Sequence, residues 1–278
     1  MTNPIAESLR AKAADGEVLL AAGAGIGLSA VCAHLGGADL IVAYNSGRYR
    51  MAGRGSTAGY LAYGDCNAIV LELAGELIPV SGETPVVAGV LASDPFRQMP
   101  RYLRELQDHG YRGVQNFPTV GLIDGRFRQS LEETGMGYDH EIELVRQASN
   151  LGLLTTPYVF DEDQARRMAD AGADVVVAHM GVTVKGLIGA ETSMTLDAAA
   201  ERCRRIAEAA QSVNPDVLVF CHGGPIAEVD DVSYVVGQVP SITGFFGASS
   251  TERHPTEVAI TQRIREFKRI RATGGVVG

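Results

Sequence analysis

Tryptophan is absent from this 278-residue chain and cysteine is scarce. The four cysteines, Cys32, Cys66, Cys203 and Cys221, form no CxxC pair and no metal-ligand spacing. That excludes a zinc ribbon or a disulfide framework and reads as reduced, mostly buried thiols. No apolar run approaches the roughly 18 residues that a membrane-spanning helix needs. The opening MTNPIAESLRAKAADG lacks the apolar centre of a secretion signal. Positive charge is also short, with 24 Lys and Arg against 33 Asp and Glu and a net charge of -9. A nucleic-acid surface would need clustered basic residues instead. Together these absences predict a cytoplasmic protein with neither a membrane nor a nucleic acid as partner.

What the chain does contain is short apolar runs alternating with helical patterns. The runs are 17–22, 39–44, 85–91, 113–117, 152–156, 174–179, 216–221 and 242–246. Most are continuously apolar, as in strands covered on both faces of a parallel sheet. Between them, 139–150 spaces Ile142, Val145 and Ala148 at helical intervals with Asp139 as N-cap. Residues 161–171 start with acids and stop at Gly172, and 196–213 is rich in Ala, Arg and Glu with Pro215 beyond it. Gly110, Gly152 and Gly172 each stand between a helix and the next strand, where a left-handed C-cap is wanted. Eight βα units without a composition break predict an α/β fold, a (β/α)8 TIM barrel in one domain over 1–278. Residues 1–16 would add a helix closing the bottom, 17–270 the barrel and 271–278 a tail. A doubly wound open sheet is the alternative.

The stretch LLAAGAGIGLSA (19–30) resembles a dinucleotide-binding fingerprint at first sight. Its third glycine position is Leu28, however, and the acid at the right distance, Asp39, begins the second strand rather than ending it. Gly23–Gly27 is therefore read as the first βα loop, kept small so that a ligand or lid can approach.

Barrel chemistry sits at the C-terminal ends of the strands. Three long connections, 45–64, 118–138 and 180–195, lie on that face, and such lengths usually mean function or disorder. The first carries Arg48, Arg50 and Arg54, of which Arg48 and Arg54 are taken as a mobile cationic lid over an anionic substrate. His179 and His222 close adjacent strands, where imidazoles serve as general acid or base. A single buried His is more often satisfied by backbone; two at neighbouring strand ends favour function. Asp94 is a candidate acid/base group or cation ligand, and also an N-cap with Pro95 at the first helical position. Asn45, Asn116 and Tyr158 sit where polar groups read substrate, although asparagines also form turns. Gly223 and Gly224, then Gly247, Ser249, Ser250 and Glu252, occupy the loops that in barrels often cradle phosphate at a helix start.

Four segments, GVQNFPTVGLIDGRFRQSLEETGMGYDHE (113–141), TTPYVFDEDQARRMADAGADVVVAHMG (155–181), HGGPIAE (222–228) and FGASSTERHPTE (246–257), resemble the Tm-type TIM-barrel family. That family is labelled phosphoenolpyruvate hydrolase-like, phosphonopyruvate hydrolase or TIM-barrel signal-transduction protein. The resemblance covers nearly the whole chain and implies a barrel, a cytoplasmic homo-oligomer and a small anionic ligand. Phosphoenolpyruvate mutases and their hydrolase relatives use acids around Mg2+ and a Glu-Asp-Lys lid. No Glu-Asp-Lys occurs here, and strand-end acids are few beyond Asp94 and Glu252. The expected function is a hydrolase or lyase acting on a small, optionally phosphorylated carboxylate through His179, His222 and Asp94. No cofactor is required by the sequence, and Mg2+ is compatible with it. The alternative is a non-catalytic ligand-sensing or partner-binding barrel.

Overall fold

The computed structural model describes residues 3–271. Along the chain the helices are α1 (Pro4–Ala14), α2 (Gly27–Leu35), α3 (Asn45–Met51), α4 (Cys66–Leu77), α5 (Met99–Asp108), α6 (Gly125–Glu133), α7 (Asp139–Asn150), α8 (Glu162–Asp170), α9 (Leu196–Gln211), α10 (Val229–Gln238) and α11 (Arg253–Lys268). The strands are β1 (Leu19–Ala24), β2 (Leu40–Ala43), β3 (Val86–Gly89), β4 (Gly113–Gln115), β5 (Leu154–Thr155), β6 (Tyr158–Val159), β7 (Val175–His179), β8 (Leu218–His222) and β9 (Gly244–Gly247). They form one parallel, curled, TIM-barrel-like sheet in the order β5-β4-β3-β2-β1-β9-β8-β7-β6.

There are nine strand segments rather than the expected eight because the fifth run is interrupted. Pro157 has no N–H to give a ladder, and the next amide, Tyr158 N, donates to the Asn116 side chain at 2.6 Å instead of to a strand carbonyl. Hydrogen bonds continue on both sides, from Thr156 N to Val114 O (3.0 Å) and from Val177 N to Pro157 O (2.8 Å). The two ends of the sheet are thus neighbours in sequence.

Along a strand, successive side chains face opposite sides. Leu40, Val42 and Tyr44 point into the interior cluster, as do Val175 and Val177, and Leu218 and Phe220. Their alternates lie under the helices: Ile41 and Ala43 in one outer cluster, Val176, Ala178, Val219 and Cys221 in another. Helix α1 sits at the strand starts, where Ala6 and Leu9 join the interior cluster. Asn3 caps it, accepting from Ile5 N at 2.9 Å, and ties it to the Gly152 carbonyl at 2.8 Å. Gly110, Gly152 and Gly172 have φ of +98°, +74° and +96°, the left-handed ends expected. Asp139 is the first residue of α7 rather than its cap, and α9 stops at Gln211, two residues short of the expected 213. Most of the proposed tail, 272–278, lies outside the described residues. Helix α11 leaves Val258, Ile260, Ile264 and Phe267 exposed. No helix among the described residues is long and apolar enough to cross a membrane.

Candidate active site

The inward alternation runs up β7 and β8 to His179 and His222, which are register partners across the two strands. Their ring centroids are 4.6 Å apart, and Tyr158 lies 4.7 and 4.9 Å from them. All three line a small cavity at the C-terminal mouth of the sheet. Both imidazoles are almost fully buried. Burial pushes the His222 pKa down to about 4, aided by Arg50 and opposed by the Phe246 carbonyl. Burial, with His222 and Arg202 adding to it, holds His179 well below the usual histidine range. Both rings are therefore neutral at pH 7.

Their partners fix opposite tautomers. The Phe246 carbonyl can only accept, so His222 Nδ1 carries the proton and Nε2 presents a lone pair. Gly181 N donates to His179 Nδ1 at 3.0 Å, which leaves the proton of His179 on Nε2. Next to them the phenols are ordered too. Gln115 Nε2 donates to Thr156 O at 2.9 Å, so its Oε1 receives the Tyr44 hydroxyl proton. The single proton of Tyr158 then has two acceptors, Tyr44 Oη at 2.9 Å and His222 Nε2 at 3.4 Å. Burial raises the pKa of both phenols, which stay protonated.

The opposite wall comes from the connection after β2. That segment, expected as a lid, is a helix, α3, followed by a short helical turn at Ser56–Tyr60. Its buried cation is Arg50, which the sequence reading left out of the site. Arg50 Nη2 pairs with Glu252 at 3.1 Å, both side chains 1% exposed, and Nη1 donates to Ser46 Oγ at 3.1 Å. Ser56 and Ser249 hydroxyls meet 3.3 Å apart on the same wall. Glu252 also accepts from Gly25 N at 2.6 Å. The small first loop thus admits the backbone of α3, not a ligand: a Cβ on Gly25 would stand 2.1 Å from Gly47 C.

Of the expected site residues, the structure brings His179, His222, Tyr158 and Ser249 to the cavity, with Glu252 directly behind Arg50. Arg48 points elsewhere, 3.6 Å from Glu76, and Arg54 is exposed, donating to Gly53 O. Arg54 lies beyond the end of α3 at Met51, whereas Ser46 and Arg50 are i,i+4 neighbours on it. Asp94 does not line the cavity. It pairs with Arg97 and accepts from Asn67 at 2.9 Å. It caps a turn at Phe96 N rather than a helix, since α5 begins only at Met99. Asn45 braces its own loop through Gly59 O (2.9 Å) and Ser46 N (2.8 Å). Asn116 acts one layer back, gripping the Tyr158 backbone while donating to Glu141. Gly223 and Gly224 pass so close to Gly181 O and Met180 O that a Cβ would clash at 2.3 and 2.5 Å. They let the connection after β8 pack backbone to backbone against the one after β7. Gly247 is packed under Thr251, and Ser250 lines an outer groove with Val18 and Val232 instead.

Asp94 and Glu252 are each engaged by an arginine, so neither is free as a ready cation ligand. No group of three His, Cys, Asp or Glu side chains able to hold a metal occurs among the described residues.

A model of the phosphoenolpyruvate hydrolase-like family matches residues 4–270. The ToMV susceptible protein tm-1(GCR26) of Solanum lycopersicum is 53% identical over 266 residues, 96% of this chain and 35% of that protein. Its resistance counterpart Tm-1(GCR237) from the same species is 52% identical over the same shares. The chain thus spans about a third of the length of these relatives. Among solved structures, an oxaloacetate acetylhydrolase superposes with TM-score 0.60 at 15% identity, over 99% of this chain and 90% of that one. Phosphoenolpyruvate phosphomutase from Streptomyces platensis subsp. rosaceus gives 0.59 at 17%, over 95% and 86%. Likenesses at this identity speak for the fold.

Proposed function

From the premise that this chain belongs to the phosphoenolpyruvate hydrolase-like family, we propose that it is an enzyme of hydrolase or lyase type acting on a small carboxylate-bearing metabolite at the mouth of the sheet. The observation that carries this reading is the pair of neutral histidines with opposite tautomers, one offering an N–H and the other a lone pair. His222 Nε2 is the general base, taking a proton from a substrate hydroxyl or a water. His179 Nε2–H donates to the oxygen on which negative charge develops as the bond breaks. A neutral imidazole is the better donor for that task, because it keeps its proton while polarising the oxygen. Tyr158 completes the relay: its proton can turn from Tyr44 to His222 and back. The carboxylate end of the substrate lies on the Arg50–Ser46 edge, and Asp94 takes no part.

The test is turnover of candidate hydroxy and oxo acids, followed by product analysis. His179→Ala and His222→Ala are each expected to lower kcat by roughly 10²–10⁴-fold, the usual worth of positioned proton transfer, with the folded state retained. Normal turnover in either variant removes that histidine from the mechanism. The short supply of acids in the cavity favours a second reading, a sensing barrel that binds without turnover. Calorimetric binding with unchanged ligand recovered afterwards would establish it.

A further inference from the structure

The charge balance of the cavity says more about what enters it, and the argument rests on the reading of this mouth as an anion site. Arg50 is the charged side chain lining it, and that charge is already matched by Glu252, whose carboxylate takes both Nε and Nη2. The two histidines add no charge at neutral pH. Helix starts, which elsewhere in barrels hold phosphates, carry acids here. Helix α10 opens on a reciprocal capping box of Glu228 and Asp231, and α11 follows directly on Glu252. Lys185, the lysine of the β7–α9 connection, is drawn out to Asp231 at 3.2 Å. What remains toward the cavity is neutral: the hydroxyls of Ser46, Ser56, Thr57, Thr183 and Ser249 and the N–H of His179. Tyr60, Phe117, Leu122 and Val182 make the rest of the lining apolar.

A phosphate ester carries about -1.5 to -2 charges at pH 7, and burying charge without a matching partner is strongly unfavourable. A carboxylate brings one charge spread over two oxygens, to which the second Nη1 proton of Arg50, beside the one given to Ser46 Oγ, and the hydroxyls can donate. We propose that the cavity selects a small unphosphorylated monocarboxylate, its body against the Phe117 and Tyr60 rings, and discriminates against phosphorylated acids.

Pyruvate and phosphoenolpyruvate make a matched pair of probes, with inorganic phosphate as the third, titrated calorimetrically into the intact protein. Pyruvate is expected to bind at least tenfold more tightly than phosphoenolpyruvate. Ser46→Ala, which leaves the Arg50–Glu252 pair in place, is expected to weaken pyruvate roughly tenfold, as for loss of a hydrogen bond to a charged group. Equal or tighter binding of phosphoenolpyruvate that is lost in Ser46→Ala overturns the selectivity while leaving the anion site standing. Absence of binding by all three probes, with the protein folded, overturns the anion site and the selectivity together.

Discussion

Glu141 shows how one residue can be both hidden in the sequence and decisive in the structure. It is 2% exposed on α7 and accepts from Asn116 Nδ2, Thr119 Oγ1 (2.6 Å) and Val120 N (2.8 Å). It makes no ion pair among the described residues. Burial outweighs those three donors and lifts its pKa to about 7. A carboxyl raised on folding stabilises the fold below its ordinary value of 4.5 and loses that contribution as pH climbs through 7. Glu141→Gln cannot titrate. The stability of this variant relative to the parent should therefore rise between pH 4.5 and 7.5, by about 3 kcal/mol at one unit per 1.36 kcal/mol, on top of a constant offset. Paired denaturant melts across that range check it; a flat difference removes the titration. Nothing in the segment GMGYDHE marks this acid, because its burial is a tertiary fact. His179 and His222 were legible for the converse reason: each closes an unbroken apolar run, so its direction follows from the strand's own period of two.

The elements explain what could not be read locally. NSGRYRM has weak helical patterning and two arginines that look alike, yet α3 turns Arg50 inward and Arg48 outward. Only the helix start at Asn45 decides which, and that start depends on Gly25 and Gly47 letting the first loop and α3 touch backbone to backbone. Gly25→Ala drives a Cβ to 2.1 Å from Gly47 C and O, rigid atoms that cannot swing aside. The expected loss is at least about 1–3 kcal/mol, the range for overpacking, and it dislodges the amide held by Glu252. Gly75 in α4 has nothing within 4 Å, so Gly75→Ala should stabilise by about 0.8–1 kcal/mol through helix propensity. Melting curves of the two variants are expected to move in opposite directions. The glycines after β8 carry a constraint that composition does not show: a Cβ on either would clash with Gly181 O or Met180 O.

At the scale of the whole molecule, the architecture was the most legible part, since each apolar run reports a strand without reference to any other. The net charge of -9 also acts at this scale. It repels an approaching anion, and the neutralised Arg50 gives little local attraction in return. Raising ionic strength from 0.01 to 0.15 M shortens the screening length from about 30 to 8 Å, so pyruvate binding should be unchanged or stronger with salt. A steep loss of affinity over that range would mean that an unmatched cation holds the ligand. The interruption of the fifth strand has a consequence of its own. The sheet is closed there by the covalent chain as well as by its ladders, with Thr156 N bonded to Val114 O on one side and Val177 N to Pro157 O on the other, so its edges cannot drift apart as those of an open sheet can. Hydrogen exchange of the Tyr158 amide, held by Asn116 Oδ1, is expected to be slow, and rapid exchange would show that the closure opens.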